Sequence, residues 1–146
     1  MPLPDPRPGL VIRYSYLWRS EHLRGREEGQ KDRPCAIVAA IRSDENGITR
    51  TLVLPVTHTT PERPEFAIEI PQRVKARLGL DAEKSWVVLP EWNEFAWPGP
   101  DLRRATGGDE TSVAYGMLPP NLFNVIRDRF LALVRTRRST RVPRST

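Results

Sequence analysis

Arg33 stands where a charged stretch, GREEGQKD, meets the unbroken apolar run CAIVAAI of residues 35–41. A planar, permanently charged fork at the threshold of a buried strand needs something to hold. A neighbouring carboxylate, Glu27 or Glu28, would make Arg33 an ordinary edge ion pair. Thr57 ends the next apolar run, TLVLPVT, and its hydroxyl can cap a turn or be offered to a ligand. His22 and Glu28 lie in the charged loop as candidate proton acceptors, whereas His58 follows Thr57 and in a regular strand would face the opposite side. Cys35, inside the apolar run, is a small buried thiol without a cation to activate it. The chain has no Gly-rich phosphate loop, no Cys/His cluster with metal-ligand spacing and no G-x-S-x-G elbow, which argues against P-loop hydrolysis and structural zinc.

The elements that must position these residues are mostly strands. Ile12, Tyr14, Tyr16 and Trp18 alternate with Val11, Arg13, Ser15 and Leu17, the period of two that predicts a first strand. Residues 19–32 show neither period and are expected to be a loop. CAIVAAI predicts a strand buried on both faces, joined to TRTLVLPV through RSDENG, where Asn46-Gly47 supplies the positive φ angles of a hairpin. That hairpin would set Arg33, which begins one strand, beside Thr57, which ends the other. EFAIEI, SWVVLP, EFAW and SVAYGML predict further strands. PQRVKARLG predicts a short helix from Pro71 to Gly79, and Leu122, Ile126, Phe130 and Leu133 form the stripe of a terminal helix started by Pro119 or Pro120.

The size of the chain, 146 residues, suits one domain with its own core, and 15 Pro disfavour long helices. The expectation is a mainly β protein, a small, strongly curved barrel or sandwich with one short internal helix and a C-terminal helix. Residues 1–8 carry Pro at every even position and read as an extended arm, with the folded domain over 9–134. The five Arg of residues 135–146 account for the whole formal charge of +5, so the body is neutral and the tail reads as basic and disordered. No run reaches the roughly 18 apolar residues of a membrane span, and one Cys with no apolar leader predicts a cytoplasmic protein.

The order of PGLVIRY, a charged loop, EGQKDRPCAIV, TLVLPVTHTTP, a strand and YGMLPPNLFNVIRDRF resembles the MazF/PemK family of toxins from toxin-antitoxin systems, from about Gly9 to Leu133. The matching motifs are Glu28, Gly29, Arg33 and Pro34; Pro55, Val56 and Thr57; and Gly116 with Pro119. The resemblance implies an SH3-like barrel that forms a homodimer, cuts single-stranded mRNA as an endoribonuclease without metal or other cofactor, and is neutralised by a cognate antitoxin. It implies attack of a ribose 2′-hydroxyl on the adjacent phosphate, with Arg33 and Thr57 on the phosphate oxygens. Glu28, His22 and Glu91 are then the candidate acids and bases, and Arg24, Arg26, Lys31 and Trp92 the RNA contacts. Where some relatives carry an Arg-x-Asp pair, this chain has Leu89 and Glu91. Trp92, Phe95 and Trp97 fit either base stacking or a core. The alternatives are a non-catalytic binder on the same barrel, as in CcdB-type toxins that trap DNA gyrase, or a family member that binds RNA or protein without cutting.

Overall fold

The computed structural model describes residues 3–26, 29, 31–105 and 112–144. Its strands are β1 (Leu10–Tyr14), β2 (Arg33–Arg42), β3 (Thr49–Thr57), β4 (Ala67–Glu69), β5 (Trp86–Val88), β6 (Glu91–Trp97), β7 (Leu102–Arg103), β8 (Ala114–Met117) and β9 (Thr140–Pro143). The helices are α1 (Arg19–Leu23), α2 (Gln72–Leu78) and α3 (Pro120–Arg135), with a 3-10 turn at Pro64–Phe66. The protein is mainly β, and among the described residues no helix is long and apolar enough to cross a membrane.

The hairpin of β2 and β3 is the centre of the sheet, as the two apolar runs predict. Cys35 pairs with Pro55, and a register shift between Ile37 and Ala39 bends the pair. In the connecting turn only Gly47 takes a positive φ, and Asn46 instead accepts a hydrogen bond from Ile48 N through its side chain. β3 then divides its partners. Residues from Thr49 to Val53 pair with β6, whereas Val56 and Thr57 pair with β5. The path β4-β5-β3-β2-β1-β7 stays open, with β6 and β8 branching from β3 and β1, so the described strands form a bent, branched sheet rather than a closed barrel.

Alternation along β2 serves two cores. Cys35 and Ile37 pack with Ile12, Tyr14, Val53 and Phe95 on one face, and Ala36 and Val38 pack with Leu54 and Val56 on the other. The second core is covered by α3, which buries Ile126, Phe130 and Leu133. Burial of three such side chains at about 1.5–3 kcal/mol each outweighs the marginal stability of an isolated helix of this length. α2 follows its predicted boundaries, ending in the left-handed Gly79.

Two expectations are corrected at the ends of the chain. β1 stops at Tyr14 instead of running on through Trp18, and the charged loop begins with α1. The segment expected as a disordered tail forms β9, which lies parallel to β6 and buries Val142 and Arg144. Arg144 Nη2 lies 2.7 Å from Asp101 Oδ2, and its Nη1 donates to the Ser15 carbonyl at 2.9 Å. Composition averaged over the tail hides this alternation, in which Arg141 and Pro143 are exposed and Val142 and Arg144 are not.

Candidate functional site

Arg33 begins β2 opposite Tyr14 of β1. The β2–β3 register, continued two residues beyond Cys35–Pro55, sets it opposite Thr57. Its Nη1 reaches the Val56 carbonyl only at 3.4 Å, its Nε is buried without a partner, and its Cζ lies 4.9 Å from the centre of the Trp18 ring. Among the described residues no carboxylate pairs with Arg33 or with Lys31. Glu27 and Glu28 lie outside the described residues, and with them the expected acid/base role of Glu28. Thr57 Oγ1 accepts a hydrogen bond from Thr59 N at 3.2 Å, so the turn role of a strand-end Thr is present. That contact uses an oxygen lone pair and leaves the hydroxyl proton to be donated.

Two cavities meet at this point, one of about 620 Å³ and one of about 480 Å³. Lys31, Arg33, Thr57 and His58 line both. The larger adds two aromatic rings, Trp18, which carries Arg33, and Phe66, which carries Arg138 at 4.8 Å and Arg63 at 5.7 Å. The smaller adds Arg13, Lys75, Asp81, Ser85 and Tyr115. Cations at the junction with flat rings on one side suit a strand of phosphates carrying unstacked bases.

Trp18 is held over Arg33 by residues far away in sequence. Asn93, fully buried in β6, accepts from Leu17 N at 2.9 Å and donates to Leu17 O at 2.8 Å. Glu91, two residues earlier, accepts from Arg19 N at 2.9 Å and from the Tyr16 hydroxyl at 3.1 Å. One strand therefore grips the chain on both sides of Trp18, and Glu21 closes the turn by accepting from Trp18 N.

The other candidates separate. Glu91 lines neither cavity and serves as an anchor for the start of α1. His22 sits in α1 and also lines neither. Arg24 and Arg26 are exposed beside α1, with Arg26 Nε 3.7 Å from Glu21. Trp92, expected to contact RNA, instead packs edge-on against Phe130 under α3 with its Nε1 buried, because its side of β6 faces the second core. Phe95 is buried in the first core, stacked on Tyr14, with Trp97 packed beside it. Burial pushes the Cys35 thiol well up, which keeps it an inert thiol. Compared with known proteins, the sequence matches no family model and no curated relative.

His58 is exposed, as its place after Thr57 suggests, yet it and Trp18 both line the larger cavity beside Arg33. His58 directly follows β3 and Trp18 stands four residues beyond β1, where alternation no longer says which way a side chain points.

Glu91 allows a direct test of the anchor. Burial holds its carboxyl above the usual range, with the hydrogen bonds from Arg19 and Tyr16 opposing. A raised folded-state value means that the ionised form is the disfavoured one. The penalty is absent below the unfolded carboxyl value of about 4.3, grows as the pH rises from there to the folded value, and is complete above it. Glu91→Gln keeps an oxygen for both donors and removes the charge. Its melting temperature is expected to exceed that of wild type by a few degrees at pH 7, with the gap closing towards pH 4; a lower melting temperature at pH 7 would show that the charge itself holds α1.

Proposed function

We propose that the protein is an endoribonuclease that holds single-stranded RNA across the two cavities and cleaves it by attack of a ribose 2′-hydroxyl on the adjacent phosphate. The observation that carries this is the position of Arg33: a guanidinium stacked on Trp18, opposite Thr57 by the continued register and without a carboxylate partner among the described residues, at the junction of the cavities. Negative charge grows on the non-bridging phosphate oxygens as the 2′-oxygen adds, and a pre-placed cation and hydroxyl donor stabilise it without reorganising. Arg33 supplies the cation, Thr57 the hydroxyl, Lys31 a contact to a neighbouring phosphate, and Trp18 with Phe66 the faces for unpaired bases.

The resemblance to MazF/PemK toxins extends the proposal. The chain would act as a dimeric toxin, in no need of a metal, and be neutralised by an antitoxin whose acidic, partly disordered segment covers Lys31 and Arg33. A binder without catalysis would use an exposed anchor among Trp92, Trp97 and the terminal helix; both tryptophans are packed against the cores, which leaves Val125 and Leu131 on α3 for that reading. Purified protein incubated with a long single-stranded RNA in chelator is expected to leave 2′,3′-cyclic phosphate and 5′-hydroxyl ends at a short recurring sequence. RNA that stays intact at equimolar protein would end the nuclease reading.

A further inference from the structure

β3 ends at Thr57, and the chain bends at His58 rather than continuing the strand. The imidazole therefore lines the same two cavities as Arg33 and Thr57. Its Nε2 lies 2.9 Å from Asp81 Oδ2 and its Nδ1 lies 3.3 Å from Glu83 Oε2. A neutral ring has one N–H and would turn a lone pair towards one of these carboxylates; a ring with two N–H groups satisfies both.

The two carboxylates are not equivalent. Asp81 Oδ1 accepts from Lys75 Nζ at 2.7 Å and from Glu83 N at 3.1 Å. Lys75 is itself buried in α2, where it also donates to Ser85 Oγ at 2.6 Å and to the Glu83 carbonyl. The hydrogen bond from Lys75 holds the Asp81 carboxyl below its usual range, so it stays ionised. The Glu83 side chain is 72% exposed and has only the longer contact to the ring. Nδ1–H can leave Glu83 while Nε2–H remains on Asp81, the arrangement by which a fixed carboxylate orients an imidazole for proton transfer.

We infer that His58 is a catalytic residue of this site, the group that protonates the leaving 5′-oxygen, and that Asp81 and Lys75 are the residues that position it. The inference rests on the nuclease reading. As the 2′-oxygen bonds to phosphorus, its proton passes to solvent water. The P–O5′ bond breaks with its electron pair on O5′, and that oxygen takes the proton from His58 Nδ1. Water then recharges the ring, and no other co-reactant is consumed. The charged groups around the imidazole are Asp81, Glu83 and Lys75 beside it, and Arg13, Lys31, Asp32, Arg33, Glu62 and Arg63 along the same cavity walls. The donor atoms of His58, Asp81 and Glu83 lie within 4.8 Å of one another, as metal ligands would, but the Lys75 ammonium on Asp81 and the opposed use of the two ring nitrogens fit proton transfer better.

The test uses an RNA oligonucleotide carrying the mapped cleavage site, made with oxygen or with sulfur at the bridging 5′ position, in chelator. A thiolate leaves without a proton, so a general acid is needed only for the oxygen substrate. His58→Ala is expected to cut the oxygen substrate about 10²-fold more slowly than wild type and the sulfur substrate within a few-fold of it. His58→Gln should do the same, which guards against a local folding defect. Asp81→Asn is expected to lose part of the oxygen rate with KM unchanged, and to be rescued likewise by sulfur, which a merely structural residue would not be. Arg33→Ala should be slow on both. Equal loss by the His58 variants on both substrates, or no loss on either, overturns the assignment while leaving the nuclease reading intact. A wild-type protein that cuts neither substrate sinks both.

Discussion

An Arg33→Ala protein is expected to cleave RNA about 10³-fold more slowly than wild type, the upper range for removing one fixed donor to a developing oxyanion, while melting within a few degrees of it. The two halves of this expectation come from different contacts. The guanidinium is aimed by the Trp18 face and by pairing of its own backbone with Tyr14 of β1, so its charge sits where the phosphate would be. Its structural bonds, by contrast, are weak. The contact to Val56 O is 3.4 Å, Nε has no partner, and the stacking on Trp18 is worth roughly 0.5–1 kcal/mol at a half-exposed site. Arg33→Lys restores the charge but neither the fork nor the stacking, and should recover about tenfold of the lost rate. Single-turnover cleavage and thermal melting of the same preparations check both halves. Cleavage within threefold of wild type, or loss of activity in step with loss of folding, would remove Arg33 from the chemistry.

What the sequence makes legible is local and pairwise. Two apolar runs around a Gly-containing turn place Arg33 opposite Thr57, because an antiparallel hairpin leaves only register to be decided and the buried faces decide it. The stripe of Ile126, Phe130 and Leu133 similarly gives α3 its buried face. What stays hidden depends on where strands stop. Tyr16 and Trp18 continue the alternation of β1, yet the strand ends at Tyr14: Ser15 N donates to the Asp101 carbonyl and Tyr16 N to the Tyr14 carbonyl, and Asn93 and Glu91, some 75 residues on, then take over the backbone of residues 17 and 19. Nothing in the local pattern reports that competition. His58 escapes for the same reason. Its nearness to Thr57 follows from a bend, and its partners Asp81 and Glu83 are supplied by the turn after α2. Trp92 shows the converse: an aromatic in a polar-looking stretch is placed by the face of β6 it occupies, and that face lies under α3.

Arg144→Met is expected to destabilise the protein by about 3–5 kcal/mol, the range for breaking a buried ion pair by removing one partner. The Arg144 side chain is fully buried and that of Asp101 is 8% exposed, so the abandoned carboxylate cannot be hydrated without opening the structure. Their close contact is a charge pair rather than an aligned hydrogen bond, and the directional bonds of Arg144 go to the Ser15 carbonyl at 2.9 Å and Asn93 Oδ1 at 3.3 Å. In a domain of this size the loss corresponds to a fall in melting temperature of roughly 10 °C or more. Adding Asp101→Leu to Arg144→Met removes the stranded charge and should recover most of that fall, since an apolar replacement of a buried pair is often near neutral. Thermal unfolding of the three proteins measures this, and a single variant melting within 2 °C of wild type would contradict it. The effect reaches the site as well. Arg144 touches Asn93, Asn93 holds Leu17, and Leu17 precedes the Trp18 ring on which Arg33 lies. The double variant regains the charge balance but not the bond to Asn93, so it should fold and still cleave more slowly than wild type, separating the role of β9 in stability from its role in aiming Arg33.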